Sequence, residues 1–159
     1  MGKLIDGKQI AGEILNQTAE RVARLKKIGT VPKLVVVLVG ENKPSQTYVR
    51  KKGQAAEKVG MEFELYHLPH DIGQSEIEIK IQEIQTDDAL SGLIVQLPLP
   101  KHLDTNRVLN LIRPELDVDC LTDVNLGKLM MKTNTIVPPT PGAVLSILSD
   151  LGIRDFVIL

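Results

Sequence analysis

Tyr48 and Lys52 stand four residues apart in a stretch, residues 45–61, whose composition suits a helix, so their side chains would share one face. Together they offer an aromatic plate beside an amine. Lys52 also borders the stripe of Val49, Ala56 and Val59, which would pack its stem and leave its ammonium poorly hydrated. Partial desolvation favours the neutral amine, and a lysine nearer neutrality can exchange protons. The same spacing is equally that of an ordinary solvated helix face. Gln96 is a second candidate, because it lies in an aliphatic run and a buried amide must find partners for its oxygen and its NH2 group. It reads as well as a satisfied core glutamine. Asp117 and Asp119 flank Val118, so in extended backbone they point to opposite sides. One can face a crevice while the other caps a turn, and the spacing does not choose between them.

These groups need elements to hold them. For the Tyr48/Lys52 helix, Ser45 after Pro44 is the expected cap and Gly60 the left-handed stop, with Gly53 the one poor helix former between. Residues 34–39 are unbroken aliphatics ending at Gly40, a strand buried on both faces. Before it, Ile10, Ile14, Leu15, Val22 and Leu25 give an amphipathic helix between the cap Asp6 and the stop Gly29. Residues 62–68 read as a second strand. Residues 75–84 fit either period, and Ser75 with Glu78 as a capping box selects helix. Residues 92–97 form a third strand cut off by Pro98, and Val108, Leu109 and Ile112 a short helix capped by Asp104 or Thr105. Residues 114–141 read as a loop-rich connector with a helical turn or two at 126–131; residues 143–151 follow as a helix stopped by Gly152, and Phe156 opens another strand. Strands alternating with helices predict an α/β fold: three layers, with a mainly parallel sheet flanked by helices. Ligands of such sheets sit beyond the carboxyl ends of the strands, where Gln96 and the start of the Tyr48/Lys52 helix can face one crevice.

Composition narrows the classes. The chain has 159 residues, 43% hydrophobic and 25% charged, with 19 basic residues against 20 acidic, so no basic footprint argues for nucleic acid or an anionic membrane. Its single cysteine, Cys120, excludes an internal disulfide and fits a reducing compartment. No apolar run reaches the length of a membrane span and no signal core opens the chain, so the cytoplasm is the default expectation. A thiol hydrolase built on Cys120 with His67, His70 or His102 lacks a local nucleophile signature. A metal site at His67 and His70 is interrupted by Pro69 and lacks an acid cluster to complete it.

Five motifs occur in order: Tyr-x-x-x-Lys at Tyr48 and Lys52, Val-Gln-Leu-Pro-Leu-Pro at 95–100, Pro-Glu-x-Asp-Val-Asp at 114–119, Asn-x-Gly-x-Leu at 125–129, and Pro-x-Thr-Pro at 138–141. With the opening Ile-Asp-Gly-Lys at 5–8, the chain closely resembles the amino-terminal part of methylenetetrahydrofolate dehydrogenase/cyclohydrolase, the bifunctional enzyme of folate one-carbon metabolism. The resemblance implies a folate held in a crevice between two domains. It matches Lys52, not Lys51, to the catalytic lysine that handles protons as the methenyl bridge is hydrated. It matches Tyr48 to the tyrosine that stacks on the folate, Gln96, between Val95 and Leu97 in the substrate-binding run, to the glutamine that holds the lysine, and Asp119 to the aspartate that grips the pterin edge. The implied partners are tetrahydrofolate derivatives, with a homodimer for the complete enzyme.

Three positions depart from the family pattern: Cys120 stands where glycine is usual, Pro139 where cysteine is common, and Gly142-Ala143 inverts the usual order. If the backbone at 120 needs positive φ, a non-glycine residue there costs on the order of 1 kcal/mol or more. The family also continues into a Gly-rich turn and a dinucleotide-binding domain that carries NADP or NAD. This sequence has no such turn, so the expectation is a folate-binding catalytic domain at 1–139, a connecting helix and the first strand of a missing nucleotide domain at 140–159, no nucleotide bound, and no hydride transfer by this chain alone. The alternative is a non-catalytic folate-binding or interaction fragment.

Overall fold

Helix α1, Gly7–Lys27, begins where Asp6 accepts from the backbone N–H groups of Lys8 at 3.0 Å and Gln9 at 3.1 Å. The computed structural model describes residues 5–153. Strand β1, Lys33–Val39, follows, then α2, Lys43–Lys58, β2, Glu62–Leu68, α3, Gln74–Ile84, and β3, Leu90–Val95. Three helices complete the described chain: α4, Thr105–Leu109, α5, Asp123–Met130, and α6, Pro139–Asp150. The strand expected from Phe156 lies outside the described residues.

The sheet order is β2-β1-β3 and both pairings are parallel, as strand-helix alternation requires. The aliphatic β1 is central, with five successive residues, Val35 to Val39, buried between the two helix layers. Val35, Val37 and Val39 pack with Ile77, Ile81 and Ile84 of α3 and with Val108 and Leu109 of α4. Val36 and Leu38 turn the other way, onto Val49 of α2 and Ile94. Each such burial contributes about 1.5–3 kcal/mol, so the sheet with its two helix layers carries the stability.

Several boundaries differ from expectation, each for a local reason. Asn42, not Ser45, caps α2: its side chain accepts from the Ser45 N–H at 3.0 Å, and Pro44 fits the first turn, which needs no N–H. Helix α3 is capped at Gly73, where Glu76 reaches back to the Gly73 N–H at 2.8 Å, two residues earlier than the Ser75/Glu78 box. Strand β3 starts and stops two residues early, although the Gln96 N–H still donates to the Val37 carbonyl at 2.8 Å. Helix α5 is longer than the turn or two expected, because Thr122 caps it by accepting from the Asn125 N–H. Helix α6 starts four residues early, with proline in its first turn.

Two glycines let layers approach. A Cβ on Gly53 would sit 2.8 Å from the Phe63 ring, so α2 lies on the sheet closer than any Cβ allows without displacing that ring. A Cβ on Gly92 would sit 2.7 Å from a methyl of Val118, the residue between the two aspartates.

Candidate functional site

Helix α2 presents Tyr48 and Lys52 as one edge of an open cleft of about 500 Å³, whose other walls are Asp119, Leu121 and residues 138–141. That volume is within the range of small-molecule sites. Tyr48 is 63% exposed, its ring free to be covered by a ligand. Val49, Ala56 and Val59 are buried beside it, and the Lys52 side chain is left 30% exposed while Lys51 faces solvent. The Lys52 Nζ lies 3.5 Å from Asp119 Oδ2 across the cleft.

The structure divides the two aspartates between the two roles that spacing left open. Asp119 faces Lys52. Asp117 is 1% exposed and caps the turn that follows it, accepting from the N–H groups of Leu121 and Thr122, the Thr122 hydroxyl and the Asn125 amide. Thr122 and Asn125 are the residues that sequence reasoning missed here; Asn-x-Gly-x-Leu marked Asn125 only as part of a motif. Leu121 and the Pro-x-Thr-Pro run were likewise unassigned, and the structure makes them cleft wall.

The run at 95–97 behaves differently from its neighbours. Successive residues of a strand point to opposite faces, so Ile94 turns toward α2 while Val95 turns into the α3 side; Gln96 follows the last strand residue. Val95 is buried there and Leu97 packs against the same cluster; neither side chain, nor that of Gln96, lines the cleft. Gln96 donates to the Leu97 carbonyl at 2.8 Å, and its buried Oε1 has no partner among the described residues. The resemblance has this glutamine holding the lysine, whereas here Lys52 bonds Asp119, since an ammonium gains more from a carboxylate than from an amide oxygen. Ser45, read as a cap, is instead buried, and its hydroxyl points to the same Leu97 carbonyl at 3.4 Å.

A family model described as the catalytic domain of tetrahydrofolate dehydrogenase/cyclohydrolase matches residues 5–119. The chain belongs to the tetrahydrofolate dehydrogenase/cyclohydrolase family. Among relatives of this family, a bifunctional protein FolD of Lysinibacillus sphaericus is 45% identical over 151 residues, 95% of this chain and 53% of that protein. The FolD crystal structure from Campylobacter jejuni superposes with a TM-score of 0.92 at 36% identity, covering 95% of this chain and 54% of that one. A dehydrogenase-cyclohydrolase (FolD) of Trypanosoma brucei, solved with NADP and an inhibitor, superposes with a TM-score of 0.90 at 37% identity, covering 95% of this chain and 52% of that one. The chain thus spans about half the length of the curated relatives it matches.

Where the family pattern has glycine, Cys120 adopts φ +57°. The backbone does need positive φ there, and the fold carries the cost with the thiol fully buried. Burial, with Asp117 nearby, pushes the Cys120 thiol above its ordinary pKa, which disfavours the thiolate that a nucleophile requires. No group of three or more His, Cys, Asp or Glu among the described residues could hold a metal ion. No described helix is long and apolar enough to cross a membrane.

Acid should weaken this fold in a definite window. Burial works to raise the pKa of Asp117, but its hydrogen bonds from Leu121, Thr122 and Asn125 outweigh that and hold it below the usual carboxylate value. Hydrogen bonds from Lys33 do the same for Glu64 and Asp87. Such groups bind protons more readily in the unfolded chain, so their contribution is complete above about pH 4–4.5 and is lost as pH falls through the depressed folded values. Urea midpoints should be flat from about pH 7 to about pH 5 and then decline, with a shallower decline in Asp117→Asn. A midpoint that rises on acidification would contradict this assignment.

Proposed function

We propose that this chain is the folate-binding side of an NAD(P)-dependent methylenetetrahydrofolate dehydrogenase and methenyltetrahydrofolate cyclohydrolase of the cytoplasm, with residues 1–139 holding the folate and 140–159 leading toward a nucleotide-binding part. The complete enzyme would work as a homodimer. The observation that carries the reading is the convergence of Tyr48, Lys52 and Asp119 on one cleft, the amine and carboxylate 3.5 Å apart. A reduced folate offers chemistry for each: a flat ring system for the Tyr48 face, and adjacent N–H donors for the Asp119 carboxylate. Entry of the pterin would draw Asp119 from Lys52 and free the amine beside the methenyl carbon. As water adds to that carbon it must lose a proton, and as the C–N bond opens the departing nitrogen must gain one; Lys52 supplies both transfers. Gln96 takes the lysine-steadying role that the resemblance implies, and its buried Oε1, without a partner among the described residues, is an unmet acceptor. Nicotinamide chemistry, NADP or NAD, belongs to the complete enzyme, and no step of it is assigned to these residues.

Titration of the chain with tetrahydrofolate, followed by calorimetry, tests this directly. Saturable binding is expected, weakened about tenfold in Tyr48→Ala through loss of ring stacking, worth about 1 kcal/mol or slightly more. Absence of binding to any reduced folate would end the reading.

A further inference from the structure

We propose that Asp117 is a positioning residue for the folate site: its buried carboxylate fixes the turn that carries Asp119 and so sets where Asp119 meets Lys52. The inference rests on the roles of Asp119 and Lys52 proposed above. Asp117 Oδ1 accepts from the Leu121 N–H at 3.0 Å, and Oδ2 accepts from the Thr122 N–H at 2.9 Å, the Thr122 hydroxyl at 2.7 Å and the Asn125 side-chain amide at 2.9 Å. All four donors come from residues after Asp119. The chain therefore folds back around the Asp117 carboxylate, and Asp119 is left on the other side of the turn, toward Lys52.

Both ends of this turn are tied to rigid parts of the fold. Upstream, the Leu93 N–H donates to the Leu116 carbonyl at 2.8 Å, and Leu93 forms a parallel bridge with Asp117, joining the turn to the buried strand β3. Downstream, Thr122 caps α5, and Asn125 donates a second bond to the Pro114 carbonyl at 2.8 Å, closing the loop on its own start. Cys120 is held at φ +57° between them. A carboxylate suits this position because every partner is a donor; an amide would turn an NH2 group toward N–H groups. The ionised state fits as well, since those bonds hold the group below the ordinary carboxylate pKa against its burial.

The experiment is a double-mutant cycle on tetrahydrofolate affinity in the 159-residue chain. Asp117→Asn is expected to lower affinity at least about tenfold in the wild-type background and to have no further effect once Asp119→Ala is present. An equal loss in both backgrounds, or no loss, overturns the proposal. If Asp117→Asn does not fold, as judged by circular dichroism, Thr122→Val removes one of the four bonds and Thr122→Ser restores it. Affinity must then drop for valine, recover for serine, and become insensitive to both without the Asp119 carboxylate; equal affinities for valine and serine overturn the proposal. An Asp119→Ala chain that binds as tightly as wild type overturns the site reading itself and this inference with it, whereas an effect of Asp119→Ala without coupling removes only the role of Asp117.

Discussion

Replacing Lys52 by methionine is expected to lower the rate of methenyl-tetrahydrofolate hydrolysis by at least about 100-fold, the scale of a lost proton-transfer group. Methionine keeps an unbranched stem against Val49, Ala56 and Val59, so the helix and its packing survive. The Asp119 side chain that loses its partner is 22% exposed and can be hydrated, which keeps the stability change within about 1 kcal/mol. The loss should therefore fall on turnover, with folate affinity changed far less. Lys52→Arg sharpens the result: it retains a cation but not an amine that can pass on a proton, and it should be about as slow as methionine. The decay of methenyl absorbance measures all three proteins, and equal rates for wild type and Lys52→Met would remove the catalytic role of the lysine.

Gly53→Leu should destabilise the chain by about 3 kcal/mol, through the approach of α2 to the sheet. Even a bare Cβ at 53 would lie 2.8 Å from the Phe63 ring, inside any normal contact, and the larger side chain has no route around a ring packed against Val36, Leu38, Val49 and Ile94. Gly53→Ala separates the two opposing effects. It gains about 1 kcal/mol of helix propensity and loses a similar amount by displacing the ring, so its net change should be small. Thermal or urea unfolding distinguishes them: leucine far below wild type, alanine near it. If leucine were tolerated, the close seating of α2, and with it the placement of Lys52, would be wrong.

Much of this architecture was legible because the informative residues act locally. The run 34–39 has to be central, Gly60 has to end α2, and the spacing of Tyr48 and Lys52 holds on any helix. Ser45 misled because a serine after a proline looks like a cap, and only the fold shows Asn42 in that role with Ser45 buried and its hydroxyl toward the Leu97 carbonyl. The capping box of α3 slipped for a similar reason: two acids, Glu76 and Glu78, stood within reach of a helix start, and which one bonds depends on where β2 releases the chain. The division of labour between Asp117 and Asp119 was beyond sequence reading, because it is decided by donors at 121, 122 and 125 that reach Asp117 only after the turn has formed. Gln96 sits between these cases, its buried amide anticipated and its bonding to Leu97 not.

The contact between Gly92 and Val118 has a consequence for anyone diversifying this scaffold. The two positions, far apart in the chain, draw on one shared allotment of space, so their sizes are constrained jointly. In a randomised library, functional members should trade bulk between them, a larger residue at 92 accompanying a smaller one at 118, and neither position scanned alone would reveal the bargain.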